Sequence, residues 1–193
     1  MKIGITINEV LRDFTGQLSY IYNKYVDRDF SLVETPVTEW DLLEYFKFKD
    51  TKELNTFLYT ECSYEIFGMA DQLHDNVVSK LNEFMIDIND YEEHEIILIS
   101  REANKSIPAT LFFLSKLGFS GNDIKFVKNY EDKWDFVDVL VTANPIALKA
   151  KPEGKISVKI DSMYNKDVES DYTLLDVMEL FNNEDKLEKI TTL

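Results

Sequence analysis

The side chains able to do chemistry in this chain gather at the carboxyl ends of apolar runs. Ile3, Ile5 and Ile7 alternate through the opening residues MKIGITINEVLRDF, a β-branched stretch with little charge that predicts a short buried strand. Thr6, Asn8 and Glu9 stand at its C-terminal end, and in an open parallel sheet ligands bind just beyond the carboxyl ends of the strands. Ser100 and Arg101 hold the same place after Ile96–Ile99. This is a weak acid–base set. Thr6 needs an adjacent base to become a nucleophile, and Asn8 cannot take a proton. Neighbouring strand residues point to opposite faces, so Glu9 is expected to turn away from Thr6. His74 and His94 fall in a helical stretch and just before the second strand, at expected surface positions. Cys62 lies in a helical pattern and reads as a packed thiol, and one cysteine excludes an internal disulfide framework.

These residues need a scaffold, and the hydrophobic periodicity supplies one. Between Thr15 and Asp90 the chain reads as mostly helical. Leu18, Ile21, Tyr22 and Tyr25 share a face, and Thr38 followed by Asp41 predicts a cap for a helix over Glu39–Phe48. Asp50 or Thr51 is set to cap a helix carrying Leu54, Phe57, Leu58 and Cys62, with a break near Gly68. Leu73, Val77, Leu81, Phe84, Met85 and Ile88 then form an amphipathic stripe. Glu95–Ser100 predicts a strand buried on both faces, as in parallel sheets covered by helices. A helix over Thr110–Leu117 ending at Gly118 follows, with a third strand at Ile124–Lys128. The apolar run Phe136–Val141 comes next, then a fifth strand at Lys155–Ile160 and a last helix on Leu174, Val177, Met178 and Phe181. The charged tail after Asn183 is expected to fray. This order predicts a doubly wound, mainly parallel α/β sheet in one domain over residues 1–193.

Together the motifs resemble the haloacid dehalogenase-like phosphohydrolases, and among them the small 5'(3')-deoxyribonucleotidase-like branch. IGITINEVLRDF is similar to the opening Asp-x-Asp-x-Thr/Val motif. Val10, Leu11, Asp13 and Phe14 fit, Thr6 and Asn8 replace the nucleophilic and acid/base aspartates, and Glu9 stands where the family has Gly. Ser100 matches the hydroxyl that binds the phosphoryl group. Lys133, with Lys128 as its rival, matches the motif lysine. Thr142-Ala143-Asn144-Pro145 resembles Asp-Asp-Asn-Pro with both acids lost, and Tyr164-Asn165 resembles the branch's Tyr-Asn turn. The resemblance implies a Rossmann-like sheet with a small helical cap inserted at about 27–68. It also implies chemistry through an aspartyl-phosphate on magnesium, a hard cation held by carboxylates, waters and phosphate. Here the corresponding positions are neutral, while Asp13 and Asp138 lie away from the strand ends. The expectation is therefore a pseudoenzyme with no catalytic residue, no metal and no cofactor. Ser100, Arg101, Lys133 and Asn144 are left as a residual anion-binding set.

Composition narrows the role. Of 193 residues, 45% are hydrophobic and 13% aromatic, enough for a sizeable core. A formal charge of −15 disfavours direct nucleic-acid binding, which needs clustered Lys and Arg. Apolar runs such as IILI and LFFL are too short to span a membrane. The expected role is a structural or protein-docking subunit of an oligomeric assembly. The Lys-, Asn- and Ile-rich composition, together with the resemblance, suggests a phage virion ring or tail component, made in the host cytoplasm. The alternatives are a nucleotide sensor that does not hydrolyse its ligand and a phosphatase with relocated residues.

Overall fold

The computed structural model describes residues 1–31, 40–89 and 94–191. β1 (Lys2–Thr6) is followed by α1 (Phe14–Tyr25), α2 (Leu42–Tyr45) and α3 (Thr51–Thr56). α3 runs into two wide π-helical turns, Phe57–Glu61 and Tyr64–Gly68. Then come α4 (Val77–Asn89), β2 (Glu95–Arg101), α5 (Ser106–Lys116), β3 (Ile124–Val127) and a 3-10 turn at Glu131–Asp135. The chain ends with β4 (Val139–Thr142), α6 (Pro145–Lys149), β5 (Ile156–Ile160), β6 (Tyr172–Leu174), α7 (Met178–Phe181) and α8 (Glu184–Thr191).

The six strands form one parallel sheet in the order β3-β2-β1-β4-β5-β6. After β1 the chain works outward through β2 and β3, then returns to the other side of β1 for β4, β5 and β6. The reversal lies between β1 and β4, and the carboxyl ends beside it are where such sheets bind ligands. Side chains alternate across the sheet. Ile3, Ile5, Val139 and Val141 pack with α4, α7 and α8, whereas Ile97, Ile99 and Leu140 pack with Trp134, Val137 and Ala147. Gly4 is required on that second face, because a Cβ there would meet Val137 Cγ1 at 2.6 Å. Helices cover both faces, so the doubly wound α/β architecture holds. A separate apolar cluster joins α1 to the 42–68 segment through Leu18, Tyr22, Phe46, Leu54, Phe57 and Phe67.

Several element assignments change. Leu174 ends the sixth strand, and the last predicted helix shortens to Met178–Phe181. The segment after Asn183 is a helix, held because Leu187 and Ile190 bury against the main core. Lys133 and Trp134 lie in the 3-10 turn ahead of the strand. Tyr25 is exposed rather than on the packed face of α1, and Leu73 lies outside α4. Asp50 caps α3 by accepting from the Glu53 amide at 2.9 Å. The Thr38 cap falls outside the described residues, and Asp41 caps α2. Among the described residues no helix is long and apolar enough to cross a membrane.

Candidate functional site at the carboxyl ends of β1, β2 and β4

Thr6 ends β1 and Thr142 ends β4, and the parallel register brings their hydroxyls within 3.3 Å. Both are buried. The Thr142 hydroxyl also accepts from the Asn144 amide at 3.1 Å, and the Asn144 Oδ1 caps α6 by accepting from the Ala147 amide at 2.9 Å. Ala143 is buried, and its carbonyl accepts from Asn165 Nδ2 at 2.9 Å, which anchors the Tyr-Asn turn. The neutral side chains of β1 and β4 are thus bonded to one another. Asn144 Nδ2, also buried, has no partner among the described residues.

Two charged residues of this region were passed over in the sequence. Arg12 is fully buried, and its guanidinium donates to Asn8 Oδ1 through Nε (2.9 Å) and Nη2 (2.5 Å). Nη2 also reaches Glu102 Oε1 at 2.8 Å, while Nη1 donates to the Phe67 carbonyl and the Thr110 hydroxyl at 2.8 Å each. Both side chains of the Arg12–Glu102 ion pair have zero exposure. Glu102 Oε1 also accepts from Ser100 Oγ at 3.0 Å and Thr110 Oγ1 at 3.1 Å, and Oε2 has no partner among the described residues. The Ser100 hydroxyl thus supports Glu102. The sequence signal for Arg12 was a charge directly after the apolar run Ile7–Leu11, itself broken only by Asn8 and Glu9, with Asp13 beside it. For Glu102 there was none, because its partner lies 90 residues away.

Lys133, in the 3-10 turn, is 4% exposed, whereas Lys128, just after β3, is exposed. Among the described residues the Lys133 ammonium meets no hydrogen-bond acceptor and lies 5.4 Å from the Tyr130 ring centroid. Burial pulls its pKa down to about 7, with Glu102 opposing the fall and Arg101 adding repulsion. Arg101 makes no surface salt bridge among the described residues. It donates to the Lys128 carbonyl at 3.1 Å and the Tyr59 hydroxyl at 2.5 Å, and its guanidinium lies over the Tyr59 and Tyr130 rings. Asn8, Arg101, Tyr59, Tyr130 and Trp40 line a cleft of about 330 Å³ between these strand ends and the 42–68 segment.

Glu9 leaves the strand in a left-handed conformation, φ 60°, which costs a non-glycine residue about 1–2 kcal/mol. The residue is half-buried and its carboxylate is enclosed. Oε1 accepts from the Thr15 amide and hydroxyl at 2.6 Å each, and Tyr164 approaches Oε2 at 3.5 Å. Burial raises its pKa to about 7 against those hydrogen bonds. Tyr164 in turn contacts Trp40, ring centroids 4.8 Å apart. His74 and His94 are half-buried rather than solvated, and His94 sits at the opposite end of β2. Cys62 packs against the α1 cluster, and burial lifts its thiol to about 11.

No family model and no curated protein sequence matches this chain. Among solved structures it is similar to a haloacid dehalogenase-like hydrolase from Burkholderia xenovorans LB400. That match has 10% identity and TM-score 0.56, and covers 96% of both chains. A dehalogenase with an intermediate complex matches at 12% identity and TM-score 0.50, over 94% of this chain and 95% of that one. The fold is haloacid dehalogenase-like.

In that fold the resemblance places magnesium between the first and fourth motifs, and the residues present do not fit it. Magnesium demands hard, mostly anionic oxygens in octahedral array. Here the motif positions offer two hydroxyls bonded to each other and an alanine methyl, and the one amide oxygen, on Asn8, already accepts twice from a cation. The buried carboxylate of Glu102 is paired with that cation. Among the described residues no group of three His, Cys, Asp or Glu side chains is placed to hold a metal.

Proposed function

We propose that this chain is a haloacid dehalogenase-like fold without the reaction, acting as a structural or docking subunit in a larger protein assembly. The observation that carries this reading is that the motif positions hold neutral side chains already bonded within the protein, Thr6 to Thr142 and Asn8 to the Arg12 guanidinium, where the resemblance expects anionic oxygens. Losing a single member of a catalytic unit commonly costs on the order of 10³ to 10⁶ in rate, and nucleophile, acid/base group and metal anchors are all replaced. Both structural neighbours are described as a hydrolase or a dehalogenase; the proposal is that this chain keeps their shape alone. Exposed apolar side chains support docking. Tyr64, Met69, Leu111 and Phe112 are exposed where the Tyr64–Gly68 turn meets α5, with the Tyr64 and Phe112 rings 5.2 Å apart. The setting we propose is a phage particle, as a ring or tail component, on the strength of composition and resemblance. Light scattering of the pure protein and its detection in purified particles test this. A strict monomer absent from particles would refute it.

One observation favours a second reading, a nucleotide or phosphate sensor without turnover. Asn144 Nδ2 is buried with no partner among the described residues, and the largely buried Lys133 places its ammonium against the Tyr130 ring; an anion would serve both. Calorimetry with nucleoside monophosphates and with inorganic phosphate decides this; no heat and no thermal stabilisation would remove it.

A further inference from the structure

Where α1, the Tyr64–Gly68 π-turn and α5 meet, the surface is apolar and electrically balanced. The turn lies close on α5 because residue 68 is glycine: a Cβ there would meet the Ala109 carbonyl oxygen and the Tyr64 ring at 3.3 Å each. That approach sets the Tyr64 ring 5.2 Å from Phe112. Tyr25, Tyr64, Met69, Leu111 and Phe112 are all exposed here, and aromatic residues and methionine are enriched in the cores of protein interfaces. The charges bordering the face cancel. Lys24 pairs with Glu65 at 2.7 Å and lies over the Tyr25 ring, whose hydroxyl donates to the same carboxylate at 3.2 Å. Lys116 donates to the Ala70 carbonyl at 2.8 Å, with the Asp71 carboxylate acting on it. Glu61, before the turn, and Lys105, before α5, are exposed and again of opposite sign. Among the described residues the face thus carries no net charge, and the formal −15 of the chain lies on the rest of it.

We propose that a second copy of this chain docks on this face, as an isologous twofold pair. The inference rests on the docking reading above and names its partner. Two copies of charge −15 repel in most orientations, and pairing through balanced faces holds their excess charge farthest apart. A cationic partner gains nothing at this face and is drawn to the acidic remainder. A second copy presents the same uncharged, aromatic surface, which is the self-complementarity a twofold interface needs.

Sedimentation velocity over a dilution series, from concentrations on the order of 100 μM downward, tests this with the wild-type protein, Phe112→Asp and Leu175→Asp. Leu175 is 76% exposed just after β6, at the sheet edge, so its variant controls for the loss of any exposed apolar side chain. Wild type and Leu175→Asp should sediment as dimers with the same Kd, and Phe112→Asp should raise that Kd about tenfold or more, as loss of an aromatic anchor does. Because the copies repel, the wild-type dimer should tighten as salt rises from about 0.1 to about 1 M, where the Debye length falls from about 10 Å to about 3 Å. A monomer at every concentration and salt overturns the proposal. So does a dimer that Phe112→Asp leaves intact, one that Leu175→Asp weakens equally, or one that high salt dissociates. A monomer still found in purified particles overturns the pairing alone and leaves the docking reading standing.

Discussion

The Arg12–Glu102 pair makes the sharpest stability prediction. Both side chains are fully enclosed, and removing one partner of a buried pair costs about 3–5 kcal/mol because the other charge is left uncompensated. The two single variants are not equivalent. Arg12→Met leaves Glu102 with donors from Ser100 and Thr110 and with the Lys133 charge nearby, so its cost falls near about 3 kcal/mol, within the range for a broken buried pair. Glu102→Gln removes the carboxylate that supports both Arg12 and Lys133, and its cost falls near about 5 kcal/mol, at the upper end of that range. At about 2–4 °C per kcal/mol for a chain of this length, the midpoints drop by about 6–20 °C. Arg12→Met/Glu102→Gln removes both charges, so it should cost less than the two singles summed, with a coupling of about 1–3 kcal/mol. Urea unfolding followed by tryptophan fluorescence gives all three values. Additive effects, or single costs below about 1 kcal/mol, the usual worth of an exposed pair, would refute the reasoning.

Stability should pass through a minimum near pH 7. Glu9 binds its proton more tightly folded (about 7) than unfolded (4.5), so stability falls as pH rises through that window. Lys133 binds its proton less tightly folded (about 7) than unfolded (10.5), so stability climbs again above pH 7. Urea titrations across pH check this: Glu9→Gln should flatten the lower limb and Lys133→Met the upper, while a wild-type maximum at neutral pH would contradict it. Phe112→Asp, on the exposed face of α5, should reduce self-association or incorporation into particles by light scattering without moving the thermal midpoint by more than a degree or so, as for most surface substitutions. The combined variant Thr6→Asp, Asn8→Asp, Thr142→Asp and Ala143→Asp should gain magnesium affinity by calorimetry, and adding Arg12→Gln with Glu102→Gln should strengthen it about tenfold, about 1.4 kcal/mol. No binding in either form would mean the motif positions are misassigned.

Much of the sheet was legible because buried parallel strands are short apolar runs. Ile3–Ile5, Ile96–Ile99 and Val139–Val141 announce themselves, and the amphipathic stripe of α4 does the same for its helix. β6 was hidden because Tyr172–Leu174 is three residues long at the sheet edge. Leu174 joined the helical stripe of Val177 and Phe181 on spacing alone. α8 was hidden because only Leu187 and Ile190 carry its burial amid charged neighbours. In the site, strand-end positions could be read one at a time, which puts Thr6, Ser100 and Thr142 at the carboxyl ends of β1, β2 and β4. The pairing of Arg12 with Glu102 could not be read, since it depends on β1 lying beside β2 and on the turn after each. Strand alternation does not decide where Glu9 points, because the chain has already left the strand and turned left-handed before reaching it, and its carboxylate bonds Thr15.

The most direct measurement is magnesium-dependent hydrolysis of a deoxynucleoside monophosphate by the pure wild-type protein. The account predicts phosphate release at the uncatalysed rate, the same in magnesium and in EDTA. Turnover that requires magnesium and stops on chelation would show that the strand ends hold a working metal site after all.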